Sequence, residues 1–92
     1  ELIPLCHNIP LSHIDVTVDY DETSHCLHIT STVRSTGKTG VEMEALTAVT
    51  VAGLTIYDMV KAIDHGIELT DIHLVSKSGG KSGSWTRSDH RA

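Results

Sequence analysis

At 92 residues the chain is long enough for one domain, and a domain this small buries only roughly 60 to 65% of its unfolded surface, so it is marginal as a monomer. Its 39% hydrophobic and 21% charged residues are ordinary for a globular domain, but with no Phe and 3% aromatics the core must be filled by Leu, Ile, Val and Ala. A net charge of −5 with so few rings argues against a nucleic-acid surface, which needs a continuous basic stripe and stacking aromatics.

The charge is unevenly placed. Residues 1–75 hold three basic and eleven acidic side chains, whereas residues 76–92 hold four basic and one acidic, a local basic patch suited to a small anionic ligand. The longest uncharged run, Ala45 to Tyr57, has thirteen residues, short of the roughly 18 to 20 that span a bilayer, so no membrane association is expected. No targeting segment is read at the start, which favours the cytoplasm, or the mitochondrial matrix if the source is eukaryotic. Cys6 and Cys26 are expected as reduced thiols.

From His13 to Tyr20, Ile14, Val16, Val18 and Tyr20 alternate with His13, Asp15, Thr17 and Asp19, the period of a half-buried strand. Asp21, Glu22, Thr23 and Ser24 form a polar turn. Beyond it Leu27, Ile29 and Val33 alternate with Cys26, His28, Thr30, Thr32 and Arg34, so the two runs read as an antiparallel hairpin. Ser35 to Gly40 reads as a loop, and Thr39 followed by Glu42 has capping-box spacing. This predicts a helix from Gly40 or Val41 to Ile63 or Asp64, stopped at Gly66. Apolar side chains fall on nearly every face of it, so it should be buried all round, partly by another subunit. Ile67 to Lys77 is predicted as a further strand, ahead of a loop of Ser78, Gly79, Gly80, Lys81, Ser82 and Gly83. The order strand, strand, helix, strand gives an α+β fold: a ferredoxin-like plait with an antiparallel sheet, lacking the first strand and helix. The domain is placed at residues 1–84 and a C-terminal tail at 85–92.

Four groups of residues carry chemistry. His7 beside Cys6 offers a proton-transfer group near neutrality. Glu42 and Glu44 flank a helix N-terminus, where carboxylates offset the dipole; Glu44 also opens the uncharged run, where a carboxyl against apolar surface can act as an acid. Asp58 and Lys61, three apart on a helix, are either a surface salt bridge or, if desolvated, an acid and base pair. Lys77, Lys81 and the glycines around them can surround phosphate oxygens, although the GxxxxGK[ST] order of a P-loop is missing. The seven histidines lack clustering at metal-ligand spacing, so no metal site is expected.

Taken together, GKTGVEMEALTAVTVAGLTIYDMVKA (Gly37 to Ala62), IPLCH (Ile3 to His7) and SKSGGKSG (Ser76 to Gly83) resemble the cyclic pyranopterin monophosphate synthase family of molybdenum cofactor biosynthesis. The resemblance covers nearly the whole chain through Ser84, with Asn8 where family members often have Pro. It implies a lyase that converts the 3′,8-cyclo-7,8-dihydro form of GTP to a cyclic monophosphate and releases diphosphate. It further implies a hexamer, a trimer of dimers, with the pocket at a subunit interface. No resident cofactor is implied, although Mg²⁺ could accompany the triphosphate. By the same resemblance Leu5, Cys6, His7, Met43 and Glu44 bind substrate, joined by Glu42 and Lys77, and Asp58 with Lys61 is catalytic. The family's N-terminal portion, with a further pocket Lys and Arg, has no counterpart in this sequence. The competing expectation is a non-catalytic ferredoxin-like interaction or RNA-binding module, disfavoured because Tyr20, Tyr57 and Trp85 are the only aromatics.

Overall fold

The computed structural model describes residues 11–35, 40–79 and 83–88. Strands β1 (Leu11–Asp21) and β2 (Cys26–Ser35) form an antiparallel hairpin. Its register sets Ile14 opposite Val33, Val16 opposite Ser31, Val18 opposite Ile29 and Tyr20 opposite Leu27. Cross-strand partners share a face, so the apolar sets of both strands coincide, as the alternation requires. At the turn Asp21 Oδ1 accepts the Thr23 N–H at 2.9 Å, and His25 takes the left-handed conformation, φ 57°, that reverses the chain. Hydrogen bonding, from the Ser24 side chain first and the Thr23 backbone next, holds the Asp21 carboxyl below its ordinary pKa.

Helix α1 (Glu42–Val60) lies chiefly over β2. Its N-cap is Val41, whose side chain offers no capping oxygen. The capping box expected at Thr39 and Glu42 falls on Thr39, which lies outside the described residues; the helix begins within two residues of the expected Gly40 or Val41. Glu42 and Glu44 still stand in the first turn, where they oppose the positive end of the dipole. At the other end the helix stops earlier than expected, at Val60, although Asp64 N–H still reaches the Val60 carbonyl at 3.1 Å. Asp64 Oδ1 then accepts the Gly66 N–H at 2.8 Å and turns the chain away.

Gly53 marks a close packing of the helix on the sheet. A Cβ there would sit 3.2 Å from Leu69 Cδ2 and 3.8 Å from Ile29 Cδ1, so both side chains converge where the helix has none. Ser31, the polar member of the apolar face, satisfies itself by donating to the Ala45 carbonyl at 2.6 Å.

The strand expected over Ile67 to Lys77 is mostly absent. Only Ser76–Lys77 (β3) is a strand, and it pairs with Trp85–Thr86 (β4) rather than with the hairpin. Two causes are visible. Asp71 has φ 55°, a left-handed residue that interrupts an extended run. In a ferredoxin-like plait, moreover, the last strand pairs with the first and not with the central hairpin, and no strand among the described residues occupies that place. The architecture is the expected α+β one with antiparallel pairing; its order strand, strand, helix, strand, strand carries one short strand more than the expected truncated plait.

Among the described residues no apolar side chain is fully buried, and of the helix only Glu44 and Gly53 are buried. Ile14, Val16, Val18 and Tyr20 of β1, with Val51, Leu54 and Met59 of the helix, remain substantially exposed. The helix that was expected to be buried all round is thus covered by this chain on one side only.

Candidate active site

Lys77 is set by the short β3 strand, directly across from Trp85. Its side chain is only 19% exposed and its Nζ lies 3.8 Å from Glu42 Oε2 at the start of α1. Glu42 also folds back against Gly40, the carboxylate occupying the space a Cβ at that position would need. Glu44, one helical step beyond Met43, is 8% exposed. Lys77 and Glu42 therefore meet at the N-terminal end of the helix, where Glu44 is buried in the same first turn. Met43 lies between the glutamates in sequence and points to solvent.

Asp58 and Lys61 form the second group. Their ion pair is 2.8 Å long, with Asp58 73% and Lys61 49% exposed. In this chain alone it is an ordinary surface pair, worth little in water; the desolvation that would make it an acid and base pair has to come from a neighbouring surface. Asp58 stands sixteen residues after Glu42, about 24 Å along a continuous helix at roughly 1.5 Å per residue. The structure thus brings Glu42 and Lys77 together, with Glu44 in the same turn of the helix, and leaves Asp58 and Lys61 at the opposite end. Leu5, Cys6, His7 and Lys81 lie outside the described residues.

Sequence reasoning missed the strand pairing that aims Lys77. Beyond Ser84, where the sequence reading ends the domain, Arg87 donates its backbone N–H to the Val75 carbonyl and its Nε to the Leu74 carbonyl, both at 2.8 Å. The signal available was the alternation of Trp85 and Arg87 one loop length after Lys77. Cys26 is a free, exposed thiol, and no group of three or more metal-ligating side chains occurs among the described residues.

Against this geometry the comparisons with known proteins are direct. The MoaC family model matches residues 1–80. The chain belongs to the MoaC family. It is 53% identical over 92 residues, its full length, to a protein of Thermomicrobium roseum. It is also 56% identical over 85 residues to one of Bordetella pertussis, and 58% identical over 88 residues to one of Rhodospirillum rubrum, covering 92% and 96% of this chain. All three relatives are named cyclic pyranopterin monophosphate synthase. The chain spans about half the length of these curated relatives, 53 to 55%. Membership in the MoaC family agrees with the order of the three motifs along the chain and with the α+β fold that carries them.

Proposed function

We propose that this chain supplies the helix and the lysine strand of a cyclic pyranopterin monophosphate synthase. In the reaction, a sugar hydroxyl displaces diphosphate from the α-phosphate of the cyclised GTP derivative while the purine-derived ring is rebuilt as a pyranopterin. Phosphorus–oxygen exchange of this kind needs cations aimed at the phosphate oxygens, and ring reorganisation needs groups that take and give protons. Lys77 supplies the cation. Its pairing with Glu42 keeps the ammonium oriented before a phosphate takes the place of the carboxylate. Asp58 and Lys61 serve the proton transfers, with His7 as a further candidate, and Leu5, Cys6, Met43 and Glu44 line the bound substrate. Mg²⁺ would travel with the triphosphate rather than reside on these residues.

The observation that carries this reading is the separation of the two groups along one helix. A ligand touching Lys77 of one chain can meet Asp58 only if a second chain brings its helix end alongside. The half-covered helix and the exposed apolar face of β1 offer surface for that contact, and we read the assembly as a homo-oligomer, a hexamer built as a trimer of dimers. Helix α1, with 19 residues and a mean hydropathy of 1.3, is long and apolar enough by itself to cross a bilayer. Its hydrogen bond with Ser31 and its packing of Gly53 on Ile29 and Leu69 favour a protein neighbour over lipid. The test is turnover by the full-length protein. Asp58→Asn should lower kcat by about 10² to 10⁴, the usual contribution of a proton-transfer group, with diphosphate release and cyclic product falling together. Retained turnover would exclude Asp58 from the chemistry.

A further inference from the structure

Lys77 is held by more than Glu42. Strands β3 and β4 are only two residues each, too short a ladder to fix a side chain against the entropy of the seven-residue connection between them. What reinforces the pair lies just past it. Arg87 is bonded through its backbone to Val75 and through Nε to Leu74, and its guanidinium stands over the Trp85 ring, 5.5 Å from the centroid, within cation–π range. Trp85 is the direct cross-strand partner of Lys77. Such partners project from the same face with Cβ atoms about 5 Å apart, so the indole stands beside the lysine stem. The stem is mostly covered while its Nζ meets Glu42. Contacts therefore run from the Leu74 carbonyl through Arg87 to Trp85, and the strand register sets Trp85 across from Lys77.

We infer that Trp85 and Arg87 are positioning residues for Lys77: the indole forms a wall that removes rotamers from the lysine stem, and the guanidinium fixes the indole. Neither touches substrate. The inference rests on the reading of Lys77 as the cation for the triphosphate, and its test separates the two. In the full-length protein without substrate, acylation of Lys77 by an amine-reactive reagent is followed by peptide mass, with Lys61 as the internal reference. Trp85→Ala and Arg87→Ala should each speed labelling of Lys77 several-fold and leave Lys61 unchanged, while Trp85→Phe, which keeps a flat wall, should behave as wild type. With the triphosphate substrate, Trp85→Ala should raise KM about five- to tenfold with kcat within about twofold, a partial loss of a charge-assisted contact. In a Lys77→Ala background, calorimetry should find that it adds nothing to the loss of affinity for the triphosphate.

Unchanged labelling of Lys77 in both alanine variants overturns the positioning role and leaves the reading of Lys77 standing. Faster labelling of Lys77 with unchanged KM in these variants, together with wild-type affinity of Lys77→Ala for the triphosphate by calorimetry, shows that the lysine is held but meets no phosphate; this overturns the catalytic use of the clamp together with that reading. Should Trp85→Ala unfold, Lys61 labelling rises as well. Arg87→Gln, which keeps the backbone bond to Val75, then decides by the same two measurements.

Discussion

Lys77 presents a charge on a side chain that is four-fifths covered, and a covered ammonium is useful only where an anion meets it. Glu42 is that anion in the unliganded chain, at 3.8 Å, long enough for a phosphate oxygen to replace it at little loss. Lys77→Ala should therefore weaken binding of the triphosphate by roughly 1.5 to 3 kcal/mol, the range for hydrogen bonds to charged groups. Calorimetry at moderate salt checks this, and equal affinity would reduce Lys77 to a structural partner of Glu42. Asp21 illustrates a different use of charge. Its pKa is lowered from 3.8 by the Ser24 side chain and the Thr23 N–H, so the folded state binds the proton less readily than the unfolded one. The stability this contributes is fully present well above pH 3.8 and is lost as pH falls through that value toward the lower folded pKa. Asp21→Asn should flatten the drop in melting temperature below about pH 4 relative to wild type. An identical pH profile in the variant would show that the turn contributes nothing to acid sensitivity.

At the scale of elements, the contact of helix on hairpin turns on Gly53. A glycine inside a helix costs roughly 0.5 to 1 kcal/mol relative to alanine, and here it admits Leu69 and Ile29. A Cβ would meet Leu69 Cδ2 at 3.2 Å, closer than comfortable packing, but Leu69 is 41% exposed and its methyl can swing outward. Gly53→Ala should thus raise stability to chemical denaturation by up to about 1 kcal/mol, whereas Gly53→Leu should lower it by lifting the helix from Ile29. A loss on Gly53→Ala would mean that Leu69 is pinned by a neighbour. The hairpin was legible because period-two alternation in two adjacent runs has one antiparallel solution that joins Ile14, Val16 and Val18 to Ile29 and Val33. Length and apolarity revealed the helix, and its start at Glu42 falls within two residues of the expected Gly40 or Val41, while its end at Val60 comes before the expected Ile63 or Asp64. Residues 67–75 alternate in two pieces, Ile67 and Leu69 out of phase with Ile72 and Leu74, and Asp71 turns left-handed where the phase breaks; a strand, moreover, exists only with a ladder partner. The candidate residues Glu42, Glu44, Asp58 and Lys77 were picked from motifs of recognisable order, and of them the structure pairs Lys77 with Glu42 and Asp58 with Lys61. The approach of Lys77 to Glu42 and the clamp of Trp85 and Arg87 were not legible. They depend on where a two-residue strand docks, which no local pattern records.

For the whole molecule, the exposed apolar face of β1 and the outer side of α1 demand cover, and light scattering of the full-length protein should find an oligomer at micromolar concentration. A stable monomer would leave the two groups of site residues permanently apart. The sharper test asks whether they serve one site from different chains. Glu42 holds Lys77 at one end of the helix and Asp58 stands at the other, about 24 Å away. A bound triphosphate could bridge part of that span, but a reacting centre must lie within hydrogen-bond reach of its proton donor. Asp58→Ala and Lys77→Ala variants of the full-length protein should each be nearly inactive. Mixed under conditions that exchange subunits, they form some interfaces in which one chain contributes an intact Asp58 and its neighbour an intact Lys77. Such an interface holds one complete site and one doubly damaged site, so activity should return to a fraction of wild type, reaching at most about a quarter for random pairing in which half the interfaces are mixed and each regains one of its two sites. Both substitutions in the same chain, mixed with either single variant, should restore nothing. Recovery absent from the first mixture, with exchange confirmed by mass spectrometry, would place Asp58 and Lys77 in the same site of one chain and require the helix to bend or the ligand to span its length.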